Sequence, residues 1–122
     1  MTPEASALYS DPATASRTAR DTEYDIIARI TRQLASANGQ RHTDFPGFLE
    51  ALFRNERLWS TLAADVAEVG NGLPQALRAR LFYLYQFTIE HGRKIRAGEA
   101  DAGVLIDINK AVLRGLRGER AS

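Results

Sequence analysis

Few side chains in this 122-residue chain could do covalent or metal chemistry: two histidines and fifteen carboxylates, with no cysteine. Absence of thiolates excludes a disulfide framework and cysteine-ligated structural zinc. His42 lies in a polar stretch and His91 at the edge of an apolar stripe, and no carboxylate stands at metal-binding i, i+4 spacing on that face. Both read as structural residues. Asp21 and Asp25 fit the first turn of a helix, where carboxylates oppose the positive end of the macrodipole, better than an acid–base pair. Phosphate-cradling glycine loops and a nucleophile elbow are missing, and the nine glycines mostly punctuate helix ends. The expectation is a non-enzyme with no cofactor, no metal and no small-molecule substrate.

What remains are residues that bind. Trp59, the only tryptophan, has two readings: a core side chain first, and second an anchor that forms a helix-accepting groove with Tyr83, Tyr85 and Phe87. Asn109 interrupts an apolar stripe. A buried Asn without partners costs about 1–3 kcal/mol, so it should bond a helix end, fix packing register, or reach a partner chain. Charge is split: residues 1–73 carry 7 basic and 10 acidic groups, residues 74–122 carry 9 and 5, and the total is +1. Arg93, Lys94, Arg96, Arg114, Arg117 and Arg120 could therefore face phosphates, although the macrodipole favours basic residues at the same helix C-termini.

The elements that must position these residues are helical. Ala, Leu and Arg supply 46 residues against four Val, and no stretch alternates with period two. The pattern predicts an all-α chain, a single compact bundle of about five helices, one of them short, large enough to build its own core. Residues 1–17 read as a flexible leader, 18–117 as the helical domain and 118–122 as a tail. No secretory or membrane-spanning run is present, which points to the cytoplasm. A first helix should run from Thr18 to Asn38-Gly39 with Ile26, Ile27, Ile30 and Leu34 inward. A short second should start at Asp44-Phe45-Pro46. Leu58, Leu62, Val66 and Val69 are out of phase with Phe48, Leu49, Leu52 and Phe53, so the spacing predicts a break near Asn55 and a third helix from Glu56 to about Val69. The fourth should open at Leu73-Pro74 and end near Ala97, with apolar residues on both flanks of its main stripe. Such a helix sits centrally or offers a second face outward. Asp101 should cap a fifth, reaching about Leu116.

N-x-x-L-W-x-x-L-A-x-D (Asn55, Leu58, Trp59, Leu62, Ala63, Asp65), N-x-L-P-x-x-L-R-A (Asn71, Leu73, Pro74, Leu77, Arg78, Ala79) and D-I-N (Asp107, Ile108, Asn109) followed by Gly115-Leu116 resemble, in order and spacing, the FlaF family of flagellar biosynthesis regulators. The resemblance extends over about residues 20–117, including Glu23 and the R-x-T-x-x-L of Arg29, Thr31 and Leu34. It implies a protein required for flagellin synthesis and secretion, a flagellin-binding export chaperone with a link to FlbT, the regulator of flagellin translation. The groove that would hold flagellin is then drawn from the last three helices, with Trp59, Tyr83, Tyr85, Phe87 and Asn109 as partner-binding residues. The alternative is a post-transcriptional regulator that contacts flagellin mRNA, directly or with FlbT, through the basic half.

Overall fold

A computed structural model describes residues 12–121, with side-chain surroundings for 21–118. Four helices make up the fold: α1 (Pro12–Gly39), α2 (Phe45–Ala67), α3 (Gln75–Arg96) and α4 (Gly103–Ala121). No strand occurs among the described residues. The expectation of about five helices is corrected to four, because α2 runs through Asn55 without a break. Its buried side chains Phe48, Leu52, Asn55, Trp59, Ala63 and Val66 follow one another at spacings of three and four, so the stripe never changes phase. Asn55, expected as a cap, is a member of that stripe. Leu58 and Leu62, which look out of phase, belong to a second face.

Helix ends follow from local chemistry. Asp44 accepts a hydrogen bond from the Gly47 amide at 3.0 Å, and Pro46 stands in the first turn, where its missing N–H costs nothing. After α2 the chain reverses through Gly70 and Gly72, both at positive φ, which residues with a Cβ rarely adopt. Asn71 locks that turn by donating to the Asp65 carbonyl and accepting from the Leu73 amide. Pro74 then precedes α3, and Gly98, at φ 78°, follows it. Asp101 accepts from the Gly103 amide as α4 begins. Two bounds differ from expectation: α1 opens at Pro12 rather than Thr18, and α4 runs on to Ala121. Residues 1–11 of the expected leader lie outside the described residues.

α1 packs on α4 and on α2, and α2 packs on α3. The core cluster draws on all four helices at one end of the bundle: Leu34, Phe48, Ala51, Leu52, Ile95, Leu105 and Ile106, with Ala102 from the last loop. That end is also laced by polar groups. Asn38 Oδ1 accepts from the Ala102 amide at 3.0 Å, Arg41 donates to the Asn38 carbonyl, and His91 Nε2, 3.0 Å from the Asp101 carbonyl, serves as donor there. Packing thins toward the other end. In α3 the buried residues Thr88, Gly92 and Ile95 all come from its second half.

Candidate functional site

The predicted binding residues separate into an interior set and a surface set. Trp59 and Asn109 are 1% exposed and Asn55 is fully enclosed. Trp59 Nε1 donates to Asn109 Oδ1 at 2.9 Å, and Asn109 Nδ2 donates to Asn55 Oδ1 at 2.7 Å. This chain of two bonds crosses from α2 to α4 and back, which fixes their register. The core reading of Trp59 and the register reading of Asn109 are the ones realised, and neither side chain faces outward. Phe87 is half-buried, packed against the core cluster and stacked on His91 with ring centroids 5.6 Å apart.

Tyr83 and Tyr85 lie on the first half of α3. Tyr83 is 63% exposed, and Tyr85, half-buried, forms a tilted ring pair with Phe82 at 5.8 Å. Phe82 and Leu77 are themselves about two-fifths exposed. Of the two options the sequence leaves for this helix, the outward face is therefore the one observed: α2 is its one extensive helical neighbour among the described residues, and residues 75–87 contribute no buried side chain.

The α2–α3 junction carries an ion pair between Glu56, which is buried, and Arg96, whose side chain stays 40% exposed. Glu56 accepts from both terminal nitrogens of Arg96, one bond at 3.1 Å, and these bonds raise the Arg96 guanidinium above its ordinary pKa, so it stays charged. Gly92 makes room for the pair: a Cβ there would fall 2.6 Å from Glu56 Oε2. Other cations assigned to the basic half are also engaged. Arg93 pairs with Glu90, and Arg117 donates to the Tyr24 hydroxyl at 2.6 Å and lies over its ring.

Sequence reasoning missed a trough of about 560 Å³ between α1 and α2, whose apolar lining includes Ile26, Ile30, Leu58 and Leu62. Its signal was present in the phase offset of Leu58 and Leu62, which marks a second apolar face rather than a break. On α1 the buried stripe is Ile27, Thr31 and Leu34, turned away from Ile26, because Thr31 satisfies its hydroxyl on the Ile27 carbonyl at 2.6 Å and can go inside.

Among the described residues no cluster of His, Asp or Glu could hold a metal ion, and no helix is long and apolar enough to cross a membrane. Fold and surface together define a small all-α protein with uncovered apolar helix faces. The family model for flagellar protein FlaF matches residues 5–116, and the chain belongs to that family. Comparison with curated proteins and with solved structures gives no match.

Proposed function

We propose that this FlaF-family protein is a non-catalytic, cytoplasmic export chaperone that holds an amphipathic helical segment of flagellin against the outward face of α3. The observation that carries the reading is the first half of α3, where Leu77, Phe82 and Tyr83 stay exposed on a helix that the bundle covers on one side only. Covering apolar surface contributes about 25 cal/mol per Å² before ordering costs, so such a face binds a helix without cofactor or reaction. Trp59 and Asn109, both buried, drop out as direct contacts in this reading.

Titration of purified flagellin into the protein by calorimetry tests it. Phe82→Ala with Tyr83→Ala should weaken binding at least about tenfold, as aromatic anchors at interfaces do, with an unchanged far-UV spectrum. Undiminished binding by the folded double variant removes α3 as the site, and no binding by the parent protein removes the function. The mRNA reading has less behind it, because Arg93, Arg96 and Arg117 already have partners within the chain. Salt-dependent RNA binding that survives Phe82→Ala/Tyr83→Ala and falls on reversal of Lys94 and Arg114 would favour it instead.

A further inference from the structure

Among the described residues, four arginines have a carboxylate within 4.0 Å: Arg54 meets Glu50, Arg93 meets Glu90, Arg96 meets Glu56 and Arg41 meets Asp101. Arg80, exposed on the first half of α3, has none there. The sequence offers it none nearby, because no Asp or Glu occurs between Glu68 and Glu90. Where Arg54 finds Glu50 one turn back, the positions three and four residues from Arg80 are Ala76, Leu77, Tyr83 and Leu84. Arg78, the other cation of this stretch, is half-buried and falls on the side of the helical wheel that holds Gly92, toward α2. Arg80 falls on the opposite side. From Ala76 to Phe87 it is the one charged residue of its strip, framed by Leu77 and Tyr83, which are 38% and 63% exposed.

That arrangement decides what a docking helix must carry. Arg80 is exposed, so water solvates its guanidinium in the free protein. A helix laid over Leu77, Tyr83 and the half-buried Leu84 withdraws that water, and no acidic side chain within a turn of α3 can replace it. A purely apolar stripe would leave the buried charge unpaired, and a lysine would add repulsion. A carboxylate instead meets the planar guanidinium with two parallel hydrogen bonds, while the arginine stem still packs on the leucines. Tyrosine and arginine are also side chains in which interface energy concentrates.

We propose, on the basis that α3 holds the flagellin helix, that Arg80 is its specificity-determining contact: the bound helix carries an Asp or Glu inside its apolar stripe, with apolar residues one turn to either side, and this carboxylate pairs with the Arg80 guanidinium as the face is covered. Apolar contact supplies affinity, and the penalty on an unpaired guanidinium rejects other amphipathic helices.

Three labelled 16-residue peptides that share one leucine stripe and differ at its central position, which is Glu, Gln or Lys, provide the probe. Anisotropy titrations against the full chain should rank Glu first, at least about tenfold ahead of Gln, with Lys weakest. Arg80→Glu should bring Lys to the front, and Arg80→Leu should erase the lead of Glu over Gln. Leu77→Ala with Tyr83→Ala should weaken all three with an unchanged far-UV spectrum. Equal affinity for the three peptides, no binding of any, an unchanged ranking in Arg80→Glu, or full binding by Leu77→Ala/Tyr83→Ala overturns the proposal. Purified flagellin separates this proposal from the α3 site itself. Binding lost in Phe82→Ala/Tyr83→Ala but undiminished in Arg80→Glu keeps α3 as the site and overturns the carboxylate pairing alone; binding undiminished in both removes the site and the pairing with it. Two other occupants would also overturn it. Dimerisation that Arg80→Glu abolishes identifies a second copy of this chain, and a peptide ranking that emerges only after Glu4→Gln with Asp11→Gln identifies the chain's own N-terminal segment.

Discussion

Asn109 shows how a polar residue on an apolar stripe can specify a fold. Its amide is the middle of a bridge, accepting from Trp59 and donating to Asn55, so leucine at this position would strand an indole N–H and an amide oxygen. Each buried group left unpaired costs about 1–3 kcal/mol, and Asn109→Leu should lower unfolding free energy by at least about 2 kcal/mol. Urea titration followed by Trp59 fluorescence checks this, since that indole is enclosed in the folded state. A loss below 0.5 kcal/mol would mean that the bridge sets register alone and carries no stability. The need for partners was legible from Asn109 itself. Its partners were not: Asn55 has the composition of a helix cap, and only the bundle brings it opposite a residue 54 positions away.

At the scale of an element, α2 and α3 show why periodicity gave the helices but not all their faces. Asp44, Asn71, Pro74 and Gly98 act through neighbours within a few residues, so the starts of α2 and α3 and the end of α3 could be read directly from the sequence. Which stripe goes inward depends on what it meets: the Thr31 hydroxyl, the Asn55 amide oxygen and the Glu56 carboxylate each have a partner inside the bundle. Gly92 is the α3 residue that makes room for the last of these. A helix interior favours alanine over glycine by about 1 kcal/mol, yet Gly92→Ala should forfeit that gain and destabilise by up to about 1 kcal/mol, because its Cβ displaces a carboxylate that Arg96 bonds through both oxygens. In an Glu56→Ala background the obstruction is gone, and the same change should become neutral or stabilising. A double-mutant cycle by denaturant unfolding reads the sign change, and two additive losses would show that Glu56 is not what Gly92 accommodates.

Over the whole molecule, order is graded from one end to the other. Leu34, Phe48, Leu52, Ile95 and Leu105 close the end where the α1–α2 and α3–α4 connections meet, and Asn38, Arg41, His91 and Asp101 tie those connections together. Toward the α2–α3 turn the bundle relies on Trp59, Ala63 and Val66 of α2, against a half of α3 with no buried side chain of its own. Local opening free energy follows buried apolar contact, so residues 75–87 should exchange amide protons well before residues 88–96 of the same helix. Two halves of one continuous helix share backbone geometry, and a difference of about tenfold or more in protection therefore reports packing rather than helix propensity. Hydrogen exchange resolved along α3 measures it, and uniform protection from Gln75 to Arg96 would contradict a graded bundle. Addition of flagellin supplies the second half of the experiment. A partner seated on Leu77, Phe82 and Tyr83 replaces the missing contacts where they are missing, so protection should rise in residues 75–87 and stay level in residues 88–96. A rise confined to the closed end would place flagellin on a surface other than the α3 face.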